Sequence, residues 1–360
     1  MTATVMITTG GTGGHIFPGL AVAARLVAKG CQVFWLGTRE GMESRLVPQH
    51  GIDFEAIRFA GVRGRGIKRL LLGPFSLLLA FWQSLRVIRR RAPDVVLGFG
   101  GFASFPGALI AVACGRKVAI HDSNAVAGLA NRVLAYGADC ILLGFPDAMR
   151  GKHAAKVRWV GNPLRDEIVA VPPPAQRFAG RSGPLKVLVL GGSLGAIALN
   201  ERVPAALALL PPGQRPQVTH QSGAAHIDAL RNAYAGSGAV AECLPFIADM
   251  GRRYAEADLV ICRGGGLTVA EIAAVGVASL IVPLPGAIAD EQTHNARFLV
   301  DAGAATLIPQ TQLTARLLAD TISAFDRERL LAMAIAARGV ARADATERVA
   351  DACIELARSR

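Results

Sequence analysis

Short apolar runs alternate along most of the chain with longer stretches in which apolar and polar residues are mixed. The runs are rich in Val, Ile and Leu, which is typical of buried parallel strands, and the stretches between them predict helices. The first helix is predicted over about residues 18–29. The predicted strands cover residues 5–8, 32–36, 54–57, 94–97 and 117–121 in the first half, and 185–190, 217–220, 259–262, 279–283 and 304–307 in the second.

The pattern restarts near residue 185, and each half opens with a strand, a glycine-rich turn and a helix. Residues 171–174, Val-Pro-Pro-Pro, and then Gly183-Pro184 lie between the halves. Proline fixes φ and has no N–H to donate, so this segment predicts a linker. We therefore predict an α/β protein with two Rossmann-like parallel-sheet domains. Ligands of such sheets bind beyond the carboxyl ends of the strands, so we expect the site in a deep cleft between the halves.

Composition narrows the class of protein. With 360 residues, 52% hydrophobic and 18% charged, the chain can bury a sizeable core and is not disordered. The net charge of +12 indicates an anionic partner, which could be a nucleic acid, an acidic membrane or a phosphorylated substrate. The six cysteines form no C-x-x-C pair and predict reduced core thiols. We find neither a secretory signal nor a run of about 20 apolar residues that could span a membrane.

Two glycine-rich turns are candidate anion sites, because each opens a helix whose first N–H groups are free to bind a phosphate. They are Gly10-Gly11-Thr12-Gly13-Gly14-His15 and Gly191-Gly192-Ser193-Leu194-Gly195-Ala196. Neither has the dinucleotide fingerprint, which argues against a nicotinamide cofactor. Neither has the lysine of a P-loop, which argues against a nucleoside triphosphate site. The alternative is that these glycines only permit tight turns. The chain also has no D-x-D pair to hold a metal on a diphosphate, so we expect neither metal nor cofactor.

A basic and apolar segment occupies residues 63–91. Its apolar part, residues 70–82, is too short to span a bilayer and ends in Phe81 and Trp82. Arginines and lysines flank it on both sides, a pattern that predicts a helix lying on an anionic membrane. The alternative is a core helix with charged ends, whereas nucleic acid binding is disfavoured because polar readers are missing. The patch residues are Leu78, Phe81, Trp82, Arg86 and Arg89, with Arg63, Arg65, Lys68, Arg69, Arg90 and Arg91 around them.

Five segments follow one another in a specific order. They are Gly10–His15, His121-Asp122-Ser123-Asn124, Gly161-Asn162-Pro163-Leu164-Arg165, Gly191–Ala196 and Gln292-Thr293-His294-Asn295-Ala296. In these segments the chain resembles the MurG family, the peripheral membrane N-acetylglucosaminyltransferases of bacterial peptidoglycan synthesis. The resemblance covers nearly the whole chain and implies a GT-B fold. It implies an acceptor- and membrane-associating domain over residues 1–165, a UDP-GlcNAc-binding domain over 166–340, and a C-terminal helix at about 341–360 that packs back on the first domain.

The resemblance also implies an activity. Members move GlcNAc from UDP-GlcNAc to the 4-hydroxyl of MurNAc in undecaprenyl-diphospho-MurNAc-pentapeptide (lipid I), with inversion, to give lipid II. The implied location is the cytoplasmic face of the bacterial inner membrane, with an anionic membrane surface and proteins of cell-wall synthesis and division as partners. Two other hypotheses stay open: a UDP-GlcNAc epimerase on the same fold, and a non-catalytic UDP-sugar-binding membrane protein.

An inverting transfer needs a base for the acceptor hydroxyl and a group that stabilises the departing diphosphate. His15 is the candidate base, because neutral imidazole accepts a proton near pH 7. Asp122 is a competing base, and a purely structural histidine is the other interpretation of His15. The acceptor side of the expected cleft includes Gly101, Phe102, His121 and Asn131.

By resemblance, Arg165 and Ser193 reach the donor phosphates, Glu271 holds the ribose hydroxyls, and Phe246 and Ile247 flank the uracil. Without the family, Arg165 would be a solvated charge, Ser193 a helix cap, and Glu271 the capping-box partner of Thr268. The full set of predicted donor residues is Thr12, Gly13, Gly14, Asn124, Arg165, Ser193, Phe246, Ile247, Gly266, Leu267, Thr268, Val269, Ala270, Glu271, Gln292 and Asn295.

The chain departs from the family pattern at a few positions. Asp122 and Ser123 stand where the family usually has Glu-Gln, which shortens the reach of that segment. Phe102 stands where the family often has an aromatic hydroxyl, and Gly264 where it usually has Ser. Each of these last two departures removes a polar contact from the expected cleft.

Overall fold

The structure is a computed structural model that describes residues 2–11, 13–59, 67–149, 153–192 and 195–359, with the side chains of 67–73 and 288 left out. Thr12 and Ser193, two predicted donor residues, lie outside the described residues, and so do Arg63 and Arg65. The chain divides into two compact units. The first comprises Met1–Arg165 with Ala343–Arg360, and the second comprises Asp166–Arg342.

The first unit is built on a seven-stranded parallel sheet with the order β3-β2-β1-β4-β5-β6-β7. Helices connect successive strands from β1 to β6, as is usual for parallel pairing. The elements are β1 (Thr4–Thr8), α1 (Gly13–Ala28), β2 (Gln32–Thr38), α2 (Glu43–Gln49), β3 (Asp53–Ile57), α3 (Ile67–Arg91), β4 (Val95–Gly98), α4 (Ser104–Ala113), β5 (Lys117–Asp122), α5 (Leu129–Leu134), β6 (Cys140–Leu143) and β7 (Val157–Trp159).

The second unit has a six-stranded parallel sheet with the order β10-β9-β8-β11-β12-β13. Its elements are α6 (Asp166–Val169), α7 (Pro174–Phe178), β8 (Lys186–Leu190), α8 (Ile197–Ala208), β9 (Gln217–Gln221), α9 (Ile227–Ser237), β10 (Ala241–Leu244), α10 (Met250–Glu256), β11 (Leu259–Cys262), α11 (Gly266–Val275), β12 (Ala278–Ile281), α12 (Glu291–Val300), β13 (Ala305–Leu307), α13 (Ala315–Ser323) and α14 (Arg327–Gly339).

The last helix, α15 (Ala345–Arg358), belongs to the first unit and packs against α1. Val349, Ala350 and Cys353 join the apolar cluster on that side of the sheet. Exposed ion pairs border the contact, with Arg25 3.2 Å from Glu347 and Lys29 2.7 Å from Asp351. Buried apolar area holds this helix in place, because exposed ion pairs contribute at most about 1 kcal/mol each.

The predicted class, two domains with parallel α/β sheets, is confirmed. Every predicted strand overlaps an observed one, whereas β6, β7 and β10 are missing from the prediction. β7 and β10 lie at sheet edges and have partly exposed residues, so they lack the continuous apolar run of a central strand. β6 is as short and as fully buried as the predicted strands β4, β11 and β12, so its omission has no structural reason.

Two boundaries differ from the sequence interpretation. Helix α1 begins at Gly13, five residues before the predicted start, and includes Pro18. The proline-rich segment is not the linker that it was predicted to be: it lies inside the second unit. Pro174 opens α7, where a missing N–H costs nothing, and the guanidinium of Arg177 donates to the carbonyl of Val275 at 3.3 Å. This anchoring explains why the segment packs.

The cysteines agree with the prediction of core thiols, since all six are free and Cys140, Cys262 and Cys353 are buried. Burial raises the pKa of Cys262 to about 12, so its thiol stays protonated. No helix in the described parts of the chain is both long and apolar enough to cross a membrane.

Candidate active site

The first glycine turn leads directly into the candidate base. His15 is the third residue of α1, at the carboxyl end of β1. Gly100 and Gly101, in the turn after β4, lie against its ring, because a Cβ atom on either glycine would be 3.8 Å from a ring carbon. Both have φ near +77° and so need glycine. Burial lowers the pKa of His15, although the Asp122 carboxylate and the Phe99 backbone favour the protonated ring.

Asp122 ends β5 and is only 4% exposed. Its Oδ1 accepts from the Asn124 backbone N–H at 3.1 Å, and its Oδ2 accepts from the Gly128 N–H and from Asn131 Nδ2, both at 2.9 Å. Asn131 also donates to the carbonyl of His121 at 3.1 Å. The carboxylate is therefore held by three donors and acts as a fixed negative charge near His15.

His121 precedes Asp122 on the same strand, so its side chain points to the opposite face of the sheet. Its ring is fully buried, with Nε2 3.0 Å from the Gly161 carbonyl and the ring centroid 5.2 Å from that of Phe99. Burial lowers the pKa of His121 to about 4, so the ring is neutral at pH 7. This placement makes His121 a buried support of β5.

Phe102 and Arg165 complete the predicted residues of the first unit. Phe102 is 41% exposed, and its ring lies 5.8 Å from that of Phe59. The guanidinium carbon of Arg165 lies 5.4 Å from the centre of the Phe17 ring on α1. This cation–π contact holds Arg165 beside the helix that carries His15.

The sequence interpretation did not single out Glu43, although this carboxylate is completely buried beside the first glycine turn. It accepts from the backbone N–H of Thr38 at 3.0 Å and from its hydroxyl at 2.6 Å, and it lies 3.5 Å from the N–H of Gly11. A Gly-x-Glu at residues 41–43, just after a strand, is the only sequence signal for it.

In the second unit, the turn after β8 is shaped by glycines that face backbone. A Cβ atom on Gly191 would be 2.8 Å from the carbonyl oxygen of Gln221, and one on Gly195 would be closer still to that of Ser222. Gly192 and Gly195 have φ values of +76° and +78°. Asn200 on α8 donates to the Ser222 carbonyl at 3.2 Å, and its Oδ1 lies 3.1 Å from Nε2 of the buried His220.

Helix α11 carries most of the predicted donor residues, Gly266, Leu267, Thr268, Val269, Ala270 and Glu271. Its N-cap is Gly265, so Thr268 is inside the helix and the capping-box alternative for Glu271 is wrong. Glu271 is buried, and the hydroxyl of the fully buried Tyr254 donates to its Oε2 at 3.0 Å. One face of the carboxylate is thus fixed by Tyr254.

Helix α12 supplies two side chains that hold the turn after β11. Gln292 Oε1 accepts from the backbone N–H groups of Gly264, at 3.2 Å, and Leu284, at 2.9 Å. Asn295 is buried and donates to the Gly264 carbonyl at 3.0 Å. A Cβ atom on Gly264 would fall within van der Waals distance of the Gln292 carbonyl, so this chain's glycine permits the close approach. With Oε1 engaged, the NH₂ group is the part of Gln292 suited to a ligand.

Phe246 and Ile247, the predicted uracil contacts, differ in exposure. The Phe246 side chain is 56% exposed, whereas that of Ile247 is buried. Phe246 therefore offers an aromatic face, and Ile247 offers only its backbone. Among the described residues, no cluster of three or more His, Cys, Asp or Glu side chains is arranged to hold a metal ion.

The predicted membrane segment is part of α3, whose outward face is apolar at one end and basic at the other. Phe75, Leu78 and Trp82 are exposed at helical spacing, with Trp82 at 53%, and the Arg86 guanidinium stacks 4.8 Å above the Trp82 ring. Arg89 follows, one turn further along the helix, and is also exposed. The core-helix alternative does not account for this exposed face.

Three members of the patch differ from the expectation. The Phe81 ring is half-buried, with its centroid 6.3 Å from that of Phe105. Arg90 and Arg91 form ion pairs with Glu55 at 2.6 Å and Asp53 at 2.7 Å. These three side chains are thus engaged within the unit.

Comparison with known proteins accounts for both units. The N-terminal domain of glycosyltransferase family 28 matches residues 5–143, and the C-terminal domain of that family matches residues 186–349. The chain belongs to glycosyltransferase family 28. Its α/β units with their carboxyl-edge turns are therefore those of a glycosyltransferase, and the GT-B class predicted from the sequence is confirmed.

Curated relatives extend over the full length. A protein of Aromatoleum aromaticum is 56% identical over 99% of both chains, and one of Ralstonia nicotianae is 54% identical over 99% of this chain and 97% of its own. Both carry the name UDP-N-acetylglucosamine--N-acetylmuramyl-(pentapeptide) pyrophosphoryl-undecaprenol N-acetylglucosamine transferase. Among solved structures, Acinetobacter baumannii MurG is 40% identical over 98% of this chain and 99% of its own, with a TM-score of 0.84.

A structure titled as a putative UDP-N-acetylglucosamine 2-epimerase from Listeria monocytogenes also matches, with a TM-score of 0.68 at 16% identity. At that identity the likeness shows a common fold alone.

Proposed function

We propose that this family 28 member is an inverting transferase that moves GlcNAc from UDP-GlcNAc to lipid I and forms lipid II. The likeness to curated transferases over 99% of both chains carries this proposal. The epimerase alternative rests on fold alone, at 16% identity. The exposed apolar and basic face of α3, which a soluble donor would not need, favours a membrane-bound acceptor.

The geometry of the first unit supports His15 as the base. Burial lowers its pKa, so the ring is neutral at pH 7 and can accept the proton of the acceptor hydroxyl. The acceptor oxygen then bonds to the anomeric carbon as the bond to the UDP oxygen breaks, and UDP leaves with that electron pair. Asp122, held by three donors, favours the imidazolium that forms. We assign it this role instead of that of the base.

The second unit supports the donor site. Glu271 would accept from the ribose hydroxyls, and the Gln292 amide would donate to the sugar. The exposed Phe246 would cover the uracil, and the turn at residues 191–196 would donate N–H groups to the diphosphate. Arg165 would add a cation to these phosphates while its guanidinium rests on Phe17.

The experiment measures release of UDP and formation of a disaccharide product from UDP-GlcNAc, with and without a lipid I analogue. We expect product only with the acceptor and equal turnover in a chelator. An epimerase would convert UDP-GlcNAc without the acceptor, and a binding protein would convert nothing. Loss of turnover in the chelator that magnesium or manganese restores would contradict the metal-free reaction.

We further propose that α3 lies on the cytoplasmic face of the bacterial inner membrane, where proteins of cell-wall synthesis and division would be its partners. The arginines contribute about 1 kcal/mol each on anionic lipid, and this part falls with salt, whereas apolar burial resists salt. Leu78→Ser with Trp82→Ser should reduce vesicle binding at low and high salt. Arg86→Gln with Arg89→Gln should reduce it mainly at low salt.

The matched control is Arg90→Gln with Arg91→Gln, because these cations are already paired with Glu55 and Asp53. It should leave binding to anionic vesicles nearly unchanged. Equal loss from both arginine pairs would show that the net charge of the unit matters and that the face of α3 does not. Turnover on a water-soluble acceptor should survive all three double substitutions.

A further inference from the structure

Glu43 is a buried acid for which the proposed reaction has no use. It is the first residue of α2 and is completely buried. Its Oε1 accepts both the N–H and the hydroxyl of Thr38, at 3.0 and 2.6 Å, while its Oε2 faces the N–H of Gly11 at 3.5 Å. All three neighbours are donors, so the site suits an ionised carboxylate. Burying an ionised carboxylate costs free energy of folding, so we ask what Glu43 contributes in return.

Three glycines make room for this carboxylate. A Cβ atom on Gly10, Gly37 or Gly41 would lie closer than 3 Å to atoms of the Glu43 side chain. These glycines come from three places in the chain: the turn after β1, the end of β2 and the turn before α2. The side chain of Glu43 thus fills a socket in which three glycines leave the space that other side chains would occupy.

The socket bears on His15 through the turn between them. Gly10 and Gly11 lie between the Glu43 carboxylate on one side and Gly101 on the other, since a Cβ atom on Gly101 would be 2.6 Å from the Gly10 carbonyl oxygen. Four residues after Gly11, His15 contacts the same Gly100–Gly101 turn. A shift of residues 10–11 would therefore move the ring relative to Asp122.

We propose that Glu43 is a positioning residue for the transfer reaction. It fixes the first glycine turn, and with it the His15 ring, through the N–H of Gly11. The carboxylate occupies the direction from which a phosphate would approach that N–H, so the Gly11 N–H serves to hold the turn. The inference rests on the proposed function for its kinetic part only.

Glu43→Gln separates this role from a contribution to folding. Thr38 offers two donors to Oε1, so the amide oxygen should remain there and the amide NH₂ should face the N–H of Gly11. The amide NH₂ and the Gly11 N–H are both donors, so the contact with Gly11 is lost. The contacts with Thr38 remain. We expect kcat to fall about tenfold or more with the KM for UDP-GlcNAc unchanged, and Tm to fall by no more than in Thr38→Val. Thr38→Val is the matched control: it removes a hydroxyl from the carboxylate but keeps Gly11, so Tm should fall and kcat should hold.

Two further measurements complete the test. Amide hydrogen exchange at Gly11 should become faster in Glu43→Gln and not in Thr38→Val. In a His15→Ala background, Glu43→Gln should lower kcat little further, because it acts through His15. Unchanged kcat in Glu43→Gln, or equal losses of kcat and Tm in both variants, would overturn the proposal. If the unaltered enzyme transfers no GlcNAc, the proposed function fails, and exchange at Gly11 still decides whether Glu43 fixes the turn.

Discussion

The two glycine turns look alike in sequence but are packed against different neighbours. In the first, Gly10 lies against the Glu43 carboxylate, where an added Cβ would overlap with Oε1. In the second, Gly191 and Gly195 lie against the backbone of Gln221 and Ser222, and an added Cβ on Gly192 would meet nothing within 4 Å. Glycine therefore leaves space for a side chain in the first turn and for backbone in the second, and each turn also has a glycine with a positive φ, Gly11 and Gly192.

This difference in neighbours suggests a difference in chemistry. The positive potential at a helix N-terminus attracts anions, but a carboxylate beside the turn offsets part of that potential. The first turn is thus suited to carrying a base near neutral hydroxyls. The glycines of the second turn have the backbone of Gln221 and Ser222 and the His226 ring as described neighbours, with no carboxylate among them, which suits the proposed diphosphate site. The proposed function thus gives the same local motif an acceptor role in one unit and a donor role in the other.

The largest expected effect comes from removing the base of the first turn. His15→Ala should lower kcat by roughly 10²–10⁴-fold, the range typical of a general base. The Kd for UDP-GlcNAc should stay the same, because none of the proposed donor contacts is made by the His15 side chain. Kinetics and donor titration measure the two quantities separately.

His50→Ala is the control, since that ring is exposed and its Nδ1 lies 2.9 Å from the Leu46 carbonyl oxygen. It should leave kcat unchanged. If Asp122→Asn abolishes turnover while His15→Ala retains it, the base is Asp122 and our assignment is wrong.

Each turn also has a buried neutral histidine nearby, and these two make stability depend on pH. Burial lowers the pKa of His121 to about 4 and that of His220 to about 3. Below pH 6.5 the unfolded chain takes up a proton that the folded chain refuses, so stability is lost as the pH falls from about 6.5 towards the folded pKa. Between pH 7 and pH 5, each of the two histidines should lower the free energy of unfolding by about 2 kcal/mol.

Urea denaturation at pH 7 and pH 5 measures this loss. His121→Gln should weaken the pH dependence of the first unit, and His220→Gln that of the second. A free energy of unfolding that does not change between the two pH values would contradict the buried neutral state of both rings.

A smaller effect is expected from the donor carboxylate. Glu271→Ala should weaken UDP-GlcNAc binding by about tenfold or more, since a hydrogen bond to a charged group contributes about 1.5–3 kcal/mol. Acceptor recognition should persist. Calorimetric titration with UDP-GlcNAc measures the change.

Tyr254→Phe is the control for this change, because Glu271→Ala also removes the acceptor of the buried Tyr254 hydroxyl at 3.0 Å. It should cost stability but leave most of the donor affinity. If both variants lose the same affinity, Glu271 acts through packing and has no contact with the ribose.

The smallest effect tests the comparison of the turns directly. Gly10→Ala should destabilise the protein by about 1–3 kcal/mol, because the Glu43 socket has no room for a methyl group. Gly192→Ala should cost only the strain of a positive φ, about 1 kcal/mol. Thermal denaturation ranks them, and a larger loss in Gly192→Ala would reverse our explanation of the two turns.

Much of the fold could be predicted because local pattern and tertiary structure agree in it. Central strands such as β1 and β8 are continuous apolar runs, and these runs were sufficient to locate them. Edge strands β7 and β10 are half exposed and give no such run. The proline-rich segment was misread as a linker because proline indicates an interruption of regular structure but does not reveal whether the segment packs.

The candidate site also has a part that could be predicted from the sequence and a part that could not. His15, Asp122, Glu271 and Gln292 could be named from motifs, since their residue types and spacing carry the chemistry. Their pairings could not be predicted: Asn131 with Asp122, Tyr254 with Glu271 and Glu43 with Gly11 are 9, 17 and 32 residues apart in the chain. The sequence places Phe81 and Arg91 in the membrane segment, and only the structure shows that Phe81 packs on Phe105 and that Arg91 pairs with Asp53.

The sequence by itself determined the α/β class, the two glycine turns, the family and the residue types that carry the reaction. All of these features depend on the order of residues along the chain, and the periodicity and spacing of residue types follow directly from that order. Only the tertiary structure decided which glycines are needed for space, which arginines of α3 pair with acids of the same unit, and where a buried carboxylate faces the turn before the base. These properties depend on contacts between residues distant in sequence, and burial and hydrogen bonding between such residues leave no local pattern to read.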